Sequence, residues 1–257
     1  MKNVYSRSFE SAPPPRNING SKAFTLAEVL ITLGIIGIVA ALTIPTLISK
    51  YQEKQTIVKL KKVYSILQNA YTAAEAEHDK PPSWAVSDDM SENSIAAWNI
   101  LTEHIKNKKD CNSRNSKCFG KTYYNLKGEI LSNSADWEQN NKLTLPDGTS
   151  IWGGLNWILI VYDYKNGYWP AGNIYVDLNG SKGPNVYGKD YFQFYLTKGK
   201  GIVPCGAQIY PDDNTWGIGM QTGHGSCFTG WVLQNENMDY LKCKDFTKFT
   251  WSHPSCD

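Results

Sequence analysis

The sequence predicts an α+β fold, and three observations carry that prediction. Apolar residues at helical spacing fill the chain from residue 24 to about residue 79. Short β-branched and aromatic runs, separated by Gly, Asn and Asp, follow from residue 143. All six cysteines lie beyond residue 110. Helical and strand signals that occupy separate stretches of a chain are the mark of an α+β arrangement. The expectation is a long N-terminal helix packed on a small antiparallel β-sheet, with a disulfide-rich C-terminal tail.

Residues 1–23 are polar, include Pro13-Pro14-Pro15 and carry Lys2, Arg7, Arg16 and Lys22 against Glu10. They show no packing pattern and read as a leader outside the fold. Residues 24–48 form a predominantly apolar run with one charged residue, Glu28. A hydrocarbon core about 30 Å thick needs about 20 apolar residues as helix, so this run is long enough to span it. A secretory signal has a shorter apolar core, with its small residue after that core and not before it. A plain membrane anchor fits the length but gives no reason for Glu28. An ionisable group in a spanning helix costs at least about 2.5 kcal/mol and marks function. No cation lies near Glu28 on its own helix, so its partner is expected on another molecule or at the helix's own start.

The helix should continue over residues 49–79. Ile57, Leu60, Tyr64, Leu67, Tyr71 and Ala74 recur at steps of three and four, which makes one apolar face, while Lys54, Lys59, Lys61 and Lys62 stay on the wet side. Gly34, Gly37 and Pro45 are expected weak points, since glycine costs about 1 kcal/mol and proline about 3 in a helix interior. Pro81-Pro82 should end the helix.

The region 80–142 holds a second helix at 92–107, with Ile95, Trp98, Leu101 and Ile105 on one face and Ser91 as N-cap. Residues 108–142 read as polar loop. The sheet is expected over 143–204. Asp147-Gly148 turns between two strands. Residues 157–162 form a continuous apolar run, read as a central strand. Strands follow at 172–177 and 190–196, and Gly199, Gly201 and Pro204 end the last. The tail, 205–257, is expected to include a last strand and a short helical turn within 230–242.

Four of the 26 basic residues and one of the 24 acidic residues precede Phe24, so the remainder carries 22 against 23, a net of −1. The positive excess sits before the apolar run. That charge pattern puts the leader in the cytoplasm and the C-terminal region, 49–257, outside. A nearly neutral domain offers no electrostatic footprint for nucleic acid. In an oxidising compartment the six cysteines, Cys111, Cys118, Cys205, Cys227, Cys243 and Cys256, read as a disulfide framework with 15 allowed pairings. Cys111–Cys118 is the best single pair, and the other four would tie the tail together.

Ala23-Phe24-Thr25-Leu26-Ala27-Glu28-Val29-Leu30 followed by a long apolar helix resembles the processing site of type IV prepilins and type II secretion pseudopilins. The resemblance implies cleavage between Ala23 and Phe24 by a membrane-embedded prepilin peptidase, and methylation of the new Phe24 amine. It makes Glu28 the glutamate that faces the N-terminal amine of a neighbouring subunit. Pro45 falls where pilin helices commonly carry a proline. Ala23 stands where the family usually has glycine, and the 23-residue leader is longer than usual. The implied protein is a structural subunit of a type IV pilus or a secretion pseudopilus. It is first held in the inner membrane by a single span and then polymerised through its helix with other pilin or pseudopilin subunits. A low-abundance tip subunit with an adhesive or ligand-binding role, and a membrane-anchored exported enzyme, are the alternative readings.

Asp177-x-Asn179-x-Ser181, with Asp190 beyond, resembles the opening of a calcium loop, where hard oxygens stand at alternate positions. Lys182 occupies the position of the usual glycine and Gly188 that of the closing glutamate. Some type II pseudopilins bind Ca²⁺ in a loop between strands of this sheet, so calcium is the one cofactor candidate. The competing reading is an Asx-rich turn. His224-x-x-Cys227 and His253-x-x-Cys256 have zinc-like spacing, but oxidised cysteines cannot ligate zinc as thiolates. The 9 Trp and 15 Tyr read as core and subunit packing before sugar binding. With no phosphate loop and no nucleophile elbow in the sequence, catalysis is not expected.

Overall fold

Thr25 opens the first helix, α1 (Leu26–His78). The computed structural model describes residues 24–81, 83–84, 90–111, 118–133, 141–154, 170–197, 200–207 and 226–255. The chain divides into two units, Met1–Ile48 and Ser49–Asp257, and α1 contributes residues to both.

In the first unit the large apolar side chains are exposed, from Leu26 at 77% to Ile48 at 50%. The four threonines of the run have their hydroxyls bonded within the helix. Thr25 donates to Glu28, Thr32 to the Val29 carbonyl, Thr43 to that of Val39 and Thr46 to that of Thr43. A helix whose polar groups are satisfied internally is what lipid requires. α1 passes the expected weak points Gly34, Gly37 and Pro45 without interruption. Proline removes one N–H from the ladder, and the many bonds around it keep the helix closed.

In the second unit α1 buries Ile57, Leu60, Val63, Leu67, Ala70, Tyr71 and Ala74. This is the expected stripe with Val63 and Ala70 added and Tyr64 at its margin. Asp79 adopts φ +59° and ends the helix. The Ser83 hydroxyl then donates to the freed His78 carbonyl at 2.7 Å, and Pro81 follows.

α2 (Met90–Glu103) is shorter at its C-terminal end than the spacing suggested. It buries Ala97, Trp98 and Leu101, with Ile105 in the turn beyond, while Ile95 is 49% exposed. The helix spends part of its buried face on Asn93, Ser94 and Thr102, which rotates Ile95 outward. Trp98 lies against Gly153, where a Cβ would come within 2.5 Å of the indole, so that strand position needs glycine for close approach.

The stretch read as loop holds β1 (Lys109–Cys111), β2 (Thr122–Tyr124), β3 (Ile130–Asn133) and β4 (Asn141–Thr144). β5 (Ser150–Gly154), β6 (Pro170–Asp177), β7 (Tyr191–Thr197) and β8 (Gly201–Pro204) follow. Among the described residues the main sheet has order β1-β4-β5-β6-β7-β8, antiparallel throughout, and β2-β3 form a separate hairpin. Gly148, at φ +86°, makes the β4–β5 turn as Asp-Gly predicts. Gly201 and Pro204, expected to end β7, instead bound β8. The apolar run 157–162 lies outside the described residues.

The side-chain period of two splits the sheet into faces. Leu143, Ile151, Ile174, Val176, Phe192, Phe194, Leu196 and Ile202 join the α1 and α2 residues in the main core. Trp152 and Tyr191 turn to the other face and pack with Tyr123, Phe119 and the Cys111–Cys118 disulfide. β7 is therefore buried on both faces.

The tail supplies α3 (Thr229–Asn235) and short 3₁₀ turns at Asp239–Lys242 and Phe246–Lys248, with no strand in 230–242. Tyr240, Phe246 and Phe249 pack around Phe228, Trp231 meets Phe249 edge to face, and the group extends the main core. Cys205 pairs with Cys227. Cys243 is also disulfide-bonded, and Cys256 lies outside the described residues. The chain-entropy account makes the 22-residue Cys205–Cys227 closure worth about 1 kcal/mol more than the 7-residue Cys111–Cys118 closure. Double-alanine replacement of the first pair is therefore expected to lower the denaturant midpoint more than replacement of the second.

Candidate functional site

Glu28 stands three residues after Thr25, and the two close a reciprocal cap. The Thr25 backbone N–H and hydroxyl both donate to Glu28 Oε2 at 2.8 Å, and the Glu28 N–H donates to Thr25 Oγ1 at 3.2 Å. This is a capping box, in which N-cap and third helical residue satisfy each other's donors. Thr25-x-x-Glu28 carried that signal in the sequence. The cap provides the partner expected at the helix's own start, and it engages one carboxylate oxygen only. Oε1 has no partner among the described residues and is open to a donor from elsewhere. Ala23, the residue before Phe24, lies outside the described residues. Phe24 itself is 85% exposed.

The β6–β7 loop brings three of the four calcium candidates into one cluster. β6 ends at Asp177 and β7 begins at Tyr191, its register partner, so Asp177 and Asp190 come to the same end of the sheet. Asp177 Oδ1 accepts the backbone N–H of Asn179 at 3.1 Å and of Gly180 at 2.9 Å, and Oδ2 accepts the Tyr123 hydroxyl at 2.8 Å. Asp190 Oδ2 accepts Asn179 Nδ2 at 2.7 Å and the Asn185 N–H at 3.1 Å, while Oδ1 accepts the Val186 N–H. Ser181 is exposed and belongs to neither set of bonds.

A Ca²⁺ ion takes six to eight oxygens around one point. Here N–H and O–H donors stand against all four carboxylate oxygens, which is the polarity opposite to a cation site. No group of three or more His, Cys, Asp or Glu converges among the described residues. The loop has the Asx-turn bonding of the competing reading, and Asp177, Asn179, Ser181 and Asp190 in this arrangement do not fit a calcium ligand set.

The cluster is nonetheless electrostatically unusual. Burial lifts the Asp177 carboxyl to about 7, the Asp190 charge adding to the rise against the bonds from Tyr123, Asn179 and Gly180. Burial also raises Asp190, partly offset by the Val186, Asn179 and Asn185 donors and by Lys189. Tyr123, which lies 54 residues from Asp177, was not foreseeable from any local pattern.

A shallow cavity of about 320 Å³ lies beside the loop, lined in part by Lys59, Asp147, Asn179 and Lys182. Lys62 bridges Asp147 at 2.8 Å and Lys59 donates to the Leu178 carbonyl at 3.3 Å, so its charged rim serves to tie α1 to the sheet. Cys227 is committed to its disulfide, which removes it from the zinc-spaced set, and His224 lies outside the described residues.

No curated protein and no solved structure matches the chain. One family model, described as the prokaryotic N-terminal methylation motif, matches residues 18–44. The matched stretch includes Ala23, Phe24 and the Thr25–Glu28 cap, and the helix it opens is long and apolar enough to cross a membrane. The chain carries the signature of type IV prepilins and pseudopilins, at the start of a long apolar helix that leads into an α+β, disulfide-bonded domain.

Proposed function

We propose that this protein is a structural subunit of a type IV pilus or a type II secretion pseudopilus, made as an inner-membrane precursor. The observation that carries the reading is the methylation motif at 18–44 on the leading flank of a 25-residue apolar run. A helix of 25 residues rises about 37 Å, enough for a hydrocarbon core of about 30 Å. The leader holds the cytoplasmic side, and the domain from Ser49 onward folds outside, where its disulfides persist. Prepilin peptidase cuts between Ala23 and Phe24, and the Phe24 amine is methylated. The helix then leaves lipid for an equally apolar environment, which other copies or related subunits supply. The role is architectural, and binding partners act through the assembled filament.

N-terminal sequencing with intact mass measurement tests the reading. The expected mature chain begins at N-methyl-Phe24. Ala23→Trp is expected to leave the precursor uncut, because the bond to be cleaved requires a small residue before it. A native N-terminus at Met1 on the membrane-inserted wild-type protein would overturn the proposal.

A further inference from the structure

The β6–β7 cluster has features that the filament role does not use. Asp177 is fully buried and Asp190 is 8% exposed. No ion pair among the described residues reaches either carboxylate. The groups that face them are each other, the Tyr123 hydroxyl from β2, loop backbone N–H groups, the Asn179 amide and the exposed Lys189. Beside them, Asn179 Oδ1 and Asn185 Oδ1 are buried acceptors with no donor. Buried polar atoms without partners are rare and call for an explanation. A buried carboxyl with no ion pair, bonded to an amide whose own oxygen lacks a donor, is a place that can hold an added proton.

We propose that this cluster is a proton-operated latch, in which protonation of Asp177 and Asp190 tightens the β6–β7 loop against β2 and ionisation loosens it. The proton on Asp190 has a ready acceptor. Turning the Asn179 amide end for end places its Oδ1 where Nδ2 now contacts Asp190 at 2.7 Å, and the amide then accepts the carboxyl O–H. Nitrogen and oxygen of such an amide are assigned from their bonding, so both orientations are open to it. On the Asp177 side, a proton on Oδ2 is accepted by the Tyr123 oxygen once its hydroxyl, now donating at 2.8 Å, turns away. Tyr123 also joins the latch to the hairpin and packs 4.5 Å from Tyr191, so loosening would reach both sheets. Because the domain is read as exported, it would meet ambient pH.

The sign follows from linkage. Asp177 has a folded value near 7 against an ordinary 3.8. Its contribution is fully present below about 4 and is lost as pH rises through about 7. Each pH unit within that window changes the folding equilibrium by at most about tenfold.

Thermal melts of the full-length protein in detergent, at pH 5, 6, 7 and 8 with a calcium chelator, test the latch. Wild type is expected to melt lower as pH rises. Asp177→Asn keeps size and accepting oxygen without the charge, so its advantage over wild type should widen with pH. Tyr123→Phe removes a donor to the carboxylate and should carry the wild-type fall to higher pH. If Asp177→Asn does not fold, the comparison of Tyr123→Phe with wild type decides. Parallel profiles for wild type and the variants overturn the latch. So does a melting temperature at pH 8 that millimolar calcium restores, since a divalent cation would then be the neutralising partner. Neither result bears on where the N-terminus is cut.

Discussion

Glu28→Ala is expected to be inserted and cut like wild type, yet to give no filaments in sheared fractions or by electron microscopy. Oε2 takes both Thr25 donors and closes the helix cap, and in the proposed filament the open Oε1 would accept the mature Phe24 amine of a neighbour. Alanine removes both interactions, and they differ in size. Loss of the cap costs about 1 kcal/mol, which a 53-residue helix tolerates. Leaving a neighbour's ammonium unpaired in an apolar helix bundle costs about 3–5 kcal/mol, which is about a hundredfold to a thousandfold or more at each contact. Repeated along a filament, that loss stops growth. Glu28→Gln separates the two effects, because its amide oxygen still accepts from Thr25 while the charge is gone. It should fail to assemble as alanine does. Wild-type filaments from either variant would remove Glu28 from assembly.

The contrast between what could and could not be read in advance has physical reasons. The buried face of α1 was legible because its period repeats over several turns, and Asp147-Gly148 because a turn at positive φ has its own chemistry. β1, β2 and β3 were not, since three- and four-residue strands offer too few alternations to register as a period. β8 was hidden by its own ends: Gly201 at φ +70° and Pro204 read as a stop, yet they are the first and last of four residues that pair with β7. Ile95 fitted a helical stripe that the fold rotates away by burying Asn93 and Ser94. The strand expected in the tail gave way to aromatic stacking around Phe228, which has no sequence period. The Glu28 cap was written locally as Thr-x-x-Glu. The loop cluster was half legible: Asp177 and Asp190 bracket the loop between two strands, but Tyr123 reaches them only through tertiary structure.

Phe194→Ala should have the largest effect on the domain itself. Phe194 is fully buried on β7 and stacks on Tyr64 of α1, with ring centroids 5.8 Å apart and planes 9° from parallel. Its cross-strand partner is Ile174, so its ring is where helix and sheet meet. Deleting a buried phenyl group costs about 3–5 kcal/mol, because the surroundings collapse only in part. A domain's whole stability is about 5–15 kcal/mol, and at this size each kcal/mol moves the midpoint by about 2–4 °C. The expected fall is on the order of 10 °C in a thermal melt. Val58→Ala is the matched control. Val58 lies on α1 but is 57% exposed, so its loss should stay within about 0.5 kcal/mol. The apolar run and the processing site are untouched by Phe194→Ala, so the variant should still insert and be cut. Its domain, released from α1, should then be digested by protease at concentrations that spare wild type and Val58→Ala. Equal melting and equal protease resistance in all three proteins would mean that the α1–sheet contact does not hold this domain together.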